Sequence, residues 1–163
     1  MSKLFLQRLL KIEGTVAAFA FVLAAGAVLA DVIGREVFHQ GIWGSAKTAV
    51  FCAVAAGFLG IGLATHEGMH LRPQFADDWI PERFEPVMCR LAPLITAALF
   101  FTAAYYAALY VYETYEYDQA APVLGWPLWR VQIIMPYAFA SNGIRNLIYA
   151  IHPDLAPKPA GFV

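Results

Sequence analysis

The sequence predicts an all-α integral membrane protein: four transmembrane helices, a short interfacial helix between the second and third, and both termini in the cytoplasm. Three observations predict it. Apolar and aromatic residues make up 60% of the 163 residues, only 14% are charged, and the mean hydropathy is +0.57, which lies on the apolar side of ordinary soluble domains. Four stretches are long and apolar enough to cross a hydrocarbon core about 30 Å thick, which takes roughly 20 helical residues. The lysines and arginines are also distributed unevenly between the two ends of those stretches.

The first stretch covers residues 14–38 and confines its charges, Asp31 and Arg35, to the last two turns. Its N-terminal flank, with Lys3, Arg8 and Lys11 before a run ending Val28-Leu29-Ala30, resembles a secretion signal. The apolar run is longer than a signal's core, so a retained first helix is expected. The second stretch, 46–64, opens with Lys47, whose long side chain can snorkel to the headgroups. The third, 91–112, has Pro93 in its first turn, where the missing N–H costs nothing. The fourth, 127–150, begins at a proline and carries Pro136 and Arg145. Between the second and third, "PQFADDWIPERFEP" at 73–86 mixes acids with Phe75, Trp79, Ile80 and Phe84, as a helix lying in the membrane plane does. These spans use most of residues 1–163, which leaves a single membrane domain with short loops.

Lysine and arginine near helix ends tend to stay in the cytoplasm. With four spans, the side carrying both termini holds Lys3, Arg8, Lys11, Arg72, Arg83, Arg90, Arg145 and Lys158, and the other holds Arg35, Lys47 and Arg130. Both termini are therefore expected inside. Tryptophans 43, 79, 126 and 129 and tyrosines 110, 112, 115 and 117 fall where headgroups would lie, as an anchoring belt does. A net charge of −1 gives no reason to expect nucleic acid. Cys52 and Cys89 are far apart and form no C-x-x-C pair, so they read as small apolar residues.

Two patterns in the second stretch bear on function. Small residues recur every fourth position on two tracks, Ala49, Ala53, Gly57 and Ala56, Gly60, Ala64, which lets helix backbones approach closely in lipid. At its end, His66-Glu67-Gly68-Met69-His70 matches H-E-x-x-H, in which two histidines hold zinc and the glutamate activates its water. A catalytic zinc needs a third protein ligand, and His39, His152, Glu113, Glu116 and Asp118 fall on the far side or in the tail. Gly68 weakens the helix inside the motif, and Leu71-Arg72-Pro73 ends it. Haem ligation fails because axial pairs come from different helices. His70 therefore reads as a capping or interface residue.

The polar residues at the helix ends read as follows. Asp31 and Arg35, four apart with the acid first, suit a helical ion pair. Arg145 is expected near the cytoplasmic end of the fourth helix, snorkelling, complementing the helix dipole or holding a lipid phosphate. A chain with few intramembrane charges suits packing better than pumping.

The stretch "REVFHQGIWGSAKTAVFCAVAAGFLGIGLATHEGMHL", 35–71, resembles the small membrane subunit of tripartite ATP-independent periplasmic (TRAP) transporters, the DctQ-like family. The matching features are Arg35 and Phe38 at the exit of the first helix, Trp43 at the start of the second, Phe58-Leu59-Gly60 in its middle and Gly68-Met69-His70-Leu71 at its end. "GWPLWRVQIIMPYAFA", 125–140, has the tryptophan-then-proline spacing of the family's fourth helix. The chain departs from the family at Ser45 and Ala46, where members often carry two adjacent acids, and at Glu36, where an aromatic is common.

The resemblance implies a non-enzymatic scaffold in the bacterial inner membrane, without cofactors of its own. A periplasmic binding protein would deliver an organic anion to a large multi-helix membrane subunit, which holds the substrate and sodium sites. On that reading Arg35, Trp43, Ala49, Ala53, Gly57, Phe58, Gly60, His70 and Arg145 are candidates for the partner or helix-packing interface, with phospholipids alongside. Lys47, Glu113, Glu116, Asp118 and Arg130 are candidates for contact with the binding protein. The alternatives are a membrane zinc peptidase using His66, Glu67 and His70, or a free-standing four-helix scaffold.

Overall fold

The structure, a computed structural model, describes residues 2–66 and 85–155. Helix α1 runs from Ser2 to Phe38, α2 from Ser45 to His66 and α3 from Glu85 to Glu116. After a connector come the short α4, Trp129–Gln132, and α5, Ile134–Ile151, followed by a 3-10 turn at Pro153–Leu155. No strand is present among the described residues, where an isolated bridge joins Ala120 and Pro127.

Three described helices are long and apolar enough to cross a membrane: Leu6–Phe38, Ser45–Thr65 and Arg90–Glu116. The first helix begins about 12 residues before the start expected from the apolar run. At 1.5 Å per residue its 37 residues extend roughly 55 Å, well beyond a 30 Å hydrocarbon core. Helix α3 likewise starts before 91, so Pro93 lies inside the helix rather than in its first turn. The residue lacks the N–H that would bond the carbonyl four residues back. Of the expected interfacial segment, 73–84 lies outside the described residues, and Glu85 and Pro86 belong to α3.

The fourth stretch departs most from expectation. It is broken at Ile133 into α4 and α5, and α5 is not apolar enough by composition to count among the candidate spans. The break has a local cause. Pro136 has no N–H to give the Gln132 carbonyl, so the helix restarts with Pro136 in its first turn, where that absence is harmless.

The helices stand in a row: α1 packs on α2, α2 on α5, and α5 on α3. The core of the row is small and aromatic. Ala17, Ala24, Ala49, Leu59, Ala97 and Ala138 are buried. The Phe139 ring of α5 meets Phe58 of α2 edge-on at 5.5 Å and Phe100 of α3 at 6.3 Å. Such aromatic pairs contribute about 0.5–1.5 kcal/mol beyond their burial. Most other large apolar side chains point outward, among them Phe19, Phe21 and Val22 on α1 and Leu99, Tyr105 and Tyr106 on α3. In water so much exposed apolar surface is unfavourable. In lipid it is the normal outer face of a spanning helix.

Helix α5 is patterned the other way round. Ala138, Ser141, Asn142, Arg145, Asn146 and Tyr149 recur at helical spacing and are all buried, whereas Ile144, Leu147 and Ile151 are exposed. Its polar residues turn toward the protein and its aliphatic ones away from it. That reverses the pattern of a soluble helix and suits one surrounded by hydrocarbon.

Candidate functional site

The polar face of α5 builds a buried junction with α1 and α2. Arg145 is completely buried. Its Nη2 donates to Glu13 Oε2, forming an ion pair, and its Nη1 donates to the Gly62 carbonyl. The second carboxylate oxygen, Glu13 Oε1, accepts from Ser141 Oγ at 2.6 Å and from the Tyr137 hydroxyl at 3.3 Å. Tyr137, Ser141 and Arg145 are successive i, i+4 positions, so one face of α5 carries all three groups that reach Glu13.

A second layer lies beside the first. Thr65 Oγ1 bonds Asn142 Oδ1 at 2.9 Å, tying α2 to α5. Asn142 Nδ2 and Asn146 Nδ2 donate back to the carbonyls of Ala138 and Asn142 at 2.8 and 2.9 Å. The asparagine amides thus find partners inside their own helix. Of the Arg145 guanidinium, Nε has no acceptor among the described residues.

Gly62 makes the junction possible. A Cβ at this position would sit 2.7 Å from Arg145 Nη1 and 2.9 Å from Glu13 Oε2. Any side chain would displace one or both charged groups, so the space belongs to the ion pair. Leaving one such charge without its partner costs about 3–5 kcal/mol, whereas replacing both with apolar residues is often neutral.

Arg145, expected near the headgroups or at a helix-packing interface, does not reach the headgroups and is the centre of an interhelical ion pair. Glu13 lay outside the apolar run and carried no sequence signal. Its partner stands 132 positions away.

At the opposite end, Asp31 organises the turn between α1 and α2. It pairs with Arg35 at 2.7 Å, as the i, i+4 spacing suggested, and its Oδ1 accepts the Ile42 backbone N–H at 2.8 Å. The two contacts differ in weight. The Arg35 side chain is 66% exposed, whereas the Asp31 side chain is 12% exposed, and exposed ion pairs add little. Asp31→Ala is expected to accelerate hydrogen exchange of the Ile42 amide by about tenfold or more, whereas Arg35→Ala leaves it nearly unchanged. Exchange measured by mass spectrometry in micelles checks both. Gly44, at φ +77°, then turns the chain into α2, and a Cβ there would lie 2.8 Å from Leu124 Cδ2 of the connector.

The remaining candidates are dispersed. Lys47, Glu113, Glu116, Asp118 and Arg130 are all exposed at the end of the row that carries Asp31, with Arg130 5.6 Å above the Trp129 ring. Trp43 is exposed, Ala49 is buried, and Phe58 packs on Phe139. Ala53 and Gly57 are exposed, and a Cβ on Gly57 or Gly60 would meet nothing within 4 Å. A methyl group at Gly57 or Gly60 would therefore meet no neighbour within the described chain. Glu67 and His70, and with them the H-E-x-x-H match, lie outside the described residues. Among the described residues no group of three His, Cys, Asp or Glu side chains could hold a metal.

The profile of the family described as tripartite ATP-independent periplasmic transporters, DctQ component, matches residues 24–151. The chain is also similar to the ectoine TRAP transporter small permease protein TeaB of Halomonas elongata, 28% identical over 141 residues that cover 86% of this chain and 73% of the relative. No solved structure matches. A match over most of the chain, together with three helices able to span a membrane, decides the assignment: the chain belongs to the DctQ family, the small permease component of TRAP transporters, a multi-pass membrane protein.

Proposed function

We propose that this chain is a fixed scaffold that holds the large transport subunit of a sodium-driven uptake system for an organic anion, served by a periplasmic binding protein. In this reading α5 crosses the bacterial inner membrane as the fourth span, both termini are cytoplasmic, and sodium coupling resides in the large subunit. The supporting observation is the junction of Glu13, Gly62 and Arg145. It ties α1, α2 and α5 into one row while α1 and α3 keep long apolar faces turned outward. A row braced inside and apolar outside can enlarge a partner's footprint in the bilayer without moving itself.

Purification from native membranes followed by mass spectrometry of the intact complex tests the reading. The chain is expected to run with a membrane protein several times its mass, and its deletion is expected to abolish substrate uptake by cells. A lone 17.9 kDa species, or unchanged uptake, would overturn it. Metal analysis of the same sample checks the peptidase alternative: stoichiometric zinc would favour it.

A further inference from the structure

Helix α5 is less apolar than the three candidate spans. Among the described residues three helices are apolar enough to cross, and α5 is not one of them. Its polar groups do not weigh equally. Asn142 and Asn146 bond their own helix carbonyls, Asn142 also meets Thr65, and Ser141 can be satisfied by one short contact. Arg145 is different, because a guanidinium at membrane depth needs an anion. Among the described residues Glu13 supplies it. Glu13 stands on α1, a helix apolar enough to enter without help.

We propose that α5 is a conditional membrane span and that Glu13 is the positioning residue that permits its insertion. The first helix carries a buried carboxylate at the start of its apolar run. The chain then extends through α2 and α3, and the last helix is retained when Arg145 meets that carboxylate beside Gly62. This rests on the reading that α5 crosses the membrane.

The mechanism makes the two partners unequal. Removing the carboxylate leaves α5 with an uncompensated arginine, so the last helix is lost from the bilayer. Removing the arginine makes α5 more apolar, so the last helix still enters, although the junction is broken. A role confined to packing would give the two single variants the same topology.

The test uses the full chain, co-expressed with its large subunit, carrying a reporter at the N- or C-terminus that is active on one side of the membrane only: green fluorescent protein for the cytoplasm, alkaline phosphatase for the periplasm. In the wild type both termini are expected on one side. In Glu13→Leu the C-terminal signal ratio is expected to shift toward the opposite side by about tenfold or more, the scale that an uncompensated arginine imposes on insertion. Arg145→Leu, and the double variant Glu13→Leu/Arg145→Leu, are expected to keep the wild-type side. If Glu13→Leu is degraded instead, recovery of its level in the double variant supports the proposal, and equal loss in both overturns it. Wild-type sidedness in Glu13→Leu, or a shifted C-terminus in Arg145→Leu, also overturns it. Wild-type termini on opposite sides would instead refute the four-span reading itself.

Discussion

Arg145→Leu is expected to lower the stability of the helical row by about 3–5 kcal/mol, the cost of removing one member of a buried ion pair. Glu13 would then keep Ser141 and Tyr137 as hydrogen-bond partners but lose the cation opposite it. The Gly62 carbonyl would also lose the donor that reaches it from α5. The double variant Glu13→Leu/Arg145→Leu is expected to lie within about 1 kcal/mol of the wild type, because neither charge is then left alone. Unfolding of the purified wild type, Glu13→Leu, Arg145→Leu and the double variant in mixed micelles with increasing denaturant, followed by tryptophan fluorescence, completes the cycle. The coupling from such a cycle reports the pair itself, since both residues touch each other directly. Equal destabilisation in the single and double variants would show that the junction acts through shape alone.

Gly62→Val is expected to cost about 3 kcal/mol, toward the upper end of overpacking in a filled core. The first added carbon already lies 2.7 Å from Arg145 Nη1 and 2.9 Å from Glu13 Oε2. Both charged side-chain tips must shift, which pulls the pair out of its present geometry. Gly57→Ala and Gly60→Ala supply the contrast. Their new methyl groups meet nothing within 4 Å, so the isolated chain gains up to about 1 kcal/mol of helix propensity at each. The same unfolding measurement separates the positions. A loss of complex at Gly57 or Gly60, with the isolated chain unharmed, would place the large subunit on that face of α2.

The protein buries polar groups at both ends of the row. At one end Asp31 shapes the turn that leads into α2; toward the other, Glu13 and Arg145 hold the first and last helices across the second. Between them the contacts are alanines and a cluster of three phenylalanine rings. Hydrophobic burial does not drive association between helices already in lipid, so close packing and a few polar contacts must set the arrangement. The DctQ family assignment gives that arrangement a setting, the small permease component of a tripartite transporter.

By itself the sequence determined the elements whose cause is local. The apolar runs that became α1, α2 and α3 need only a count of residues against the thickness of a bilayer. The Asp31–Arg35 pair needs only the pitch of a helix. The family resemblance likewise rests on an ordered series of residues along the chain. The tertiary structure alone decided the rest. Glu13 precedes the apolar run and looks like an ordinary flanking acid, Gly62 is one glycine among several in α2, and Arg145 looks like a snorkelling cation near a helix end. Each takes its role from partners on other helices, and the ion pair joins positions 132 apart. The order of helices in the row decides which side chains lose water together, and desolvation makes a pair of charges at once costly to break and specific in its geometry. No periodicity along one segment encodes that order, because it arises only when all the helices have packed.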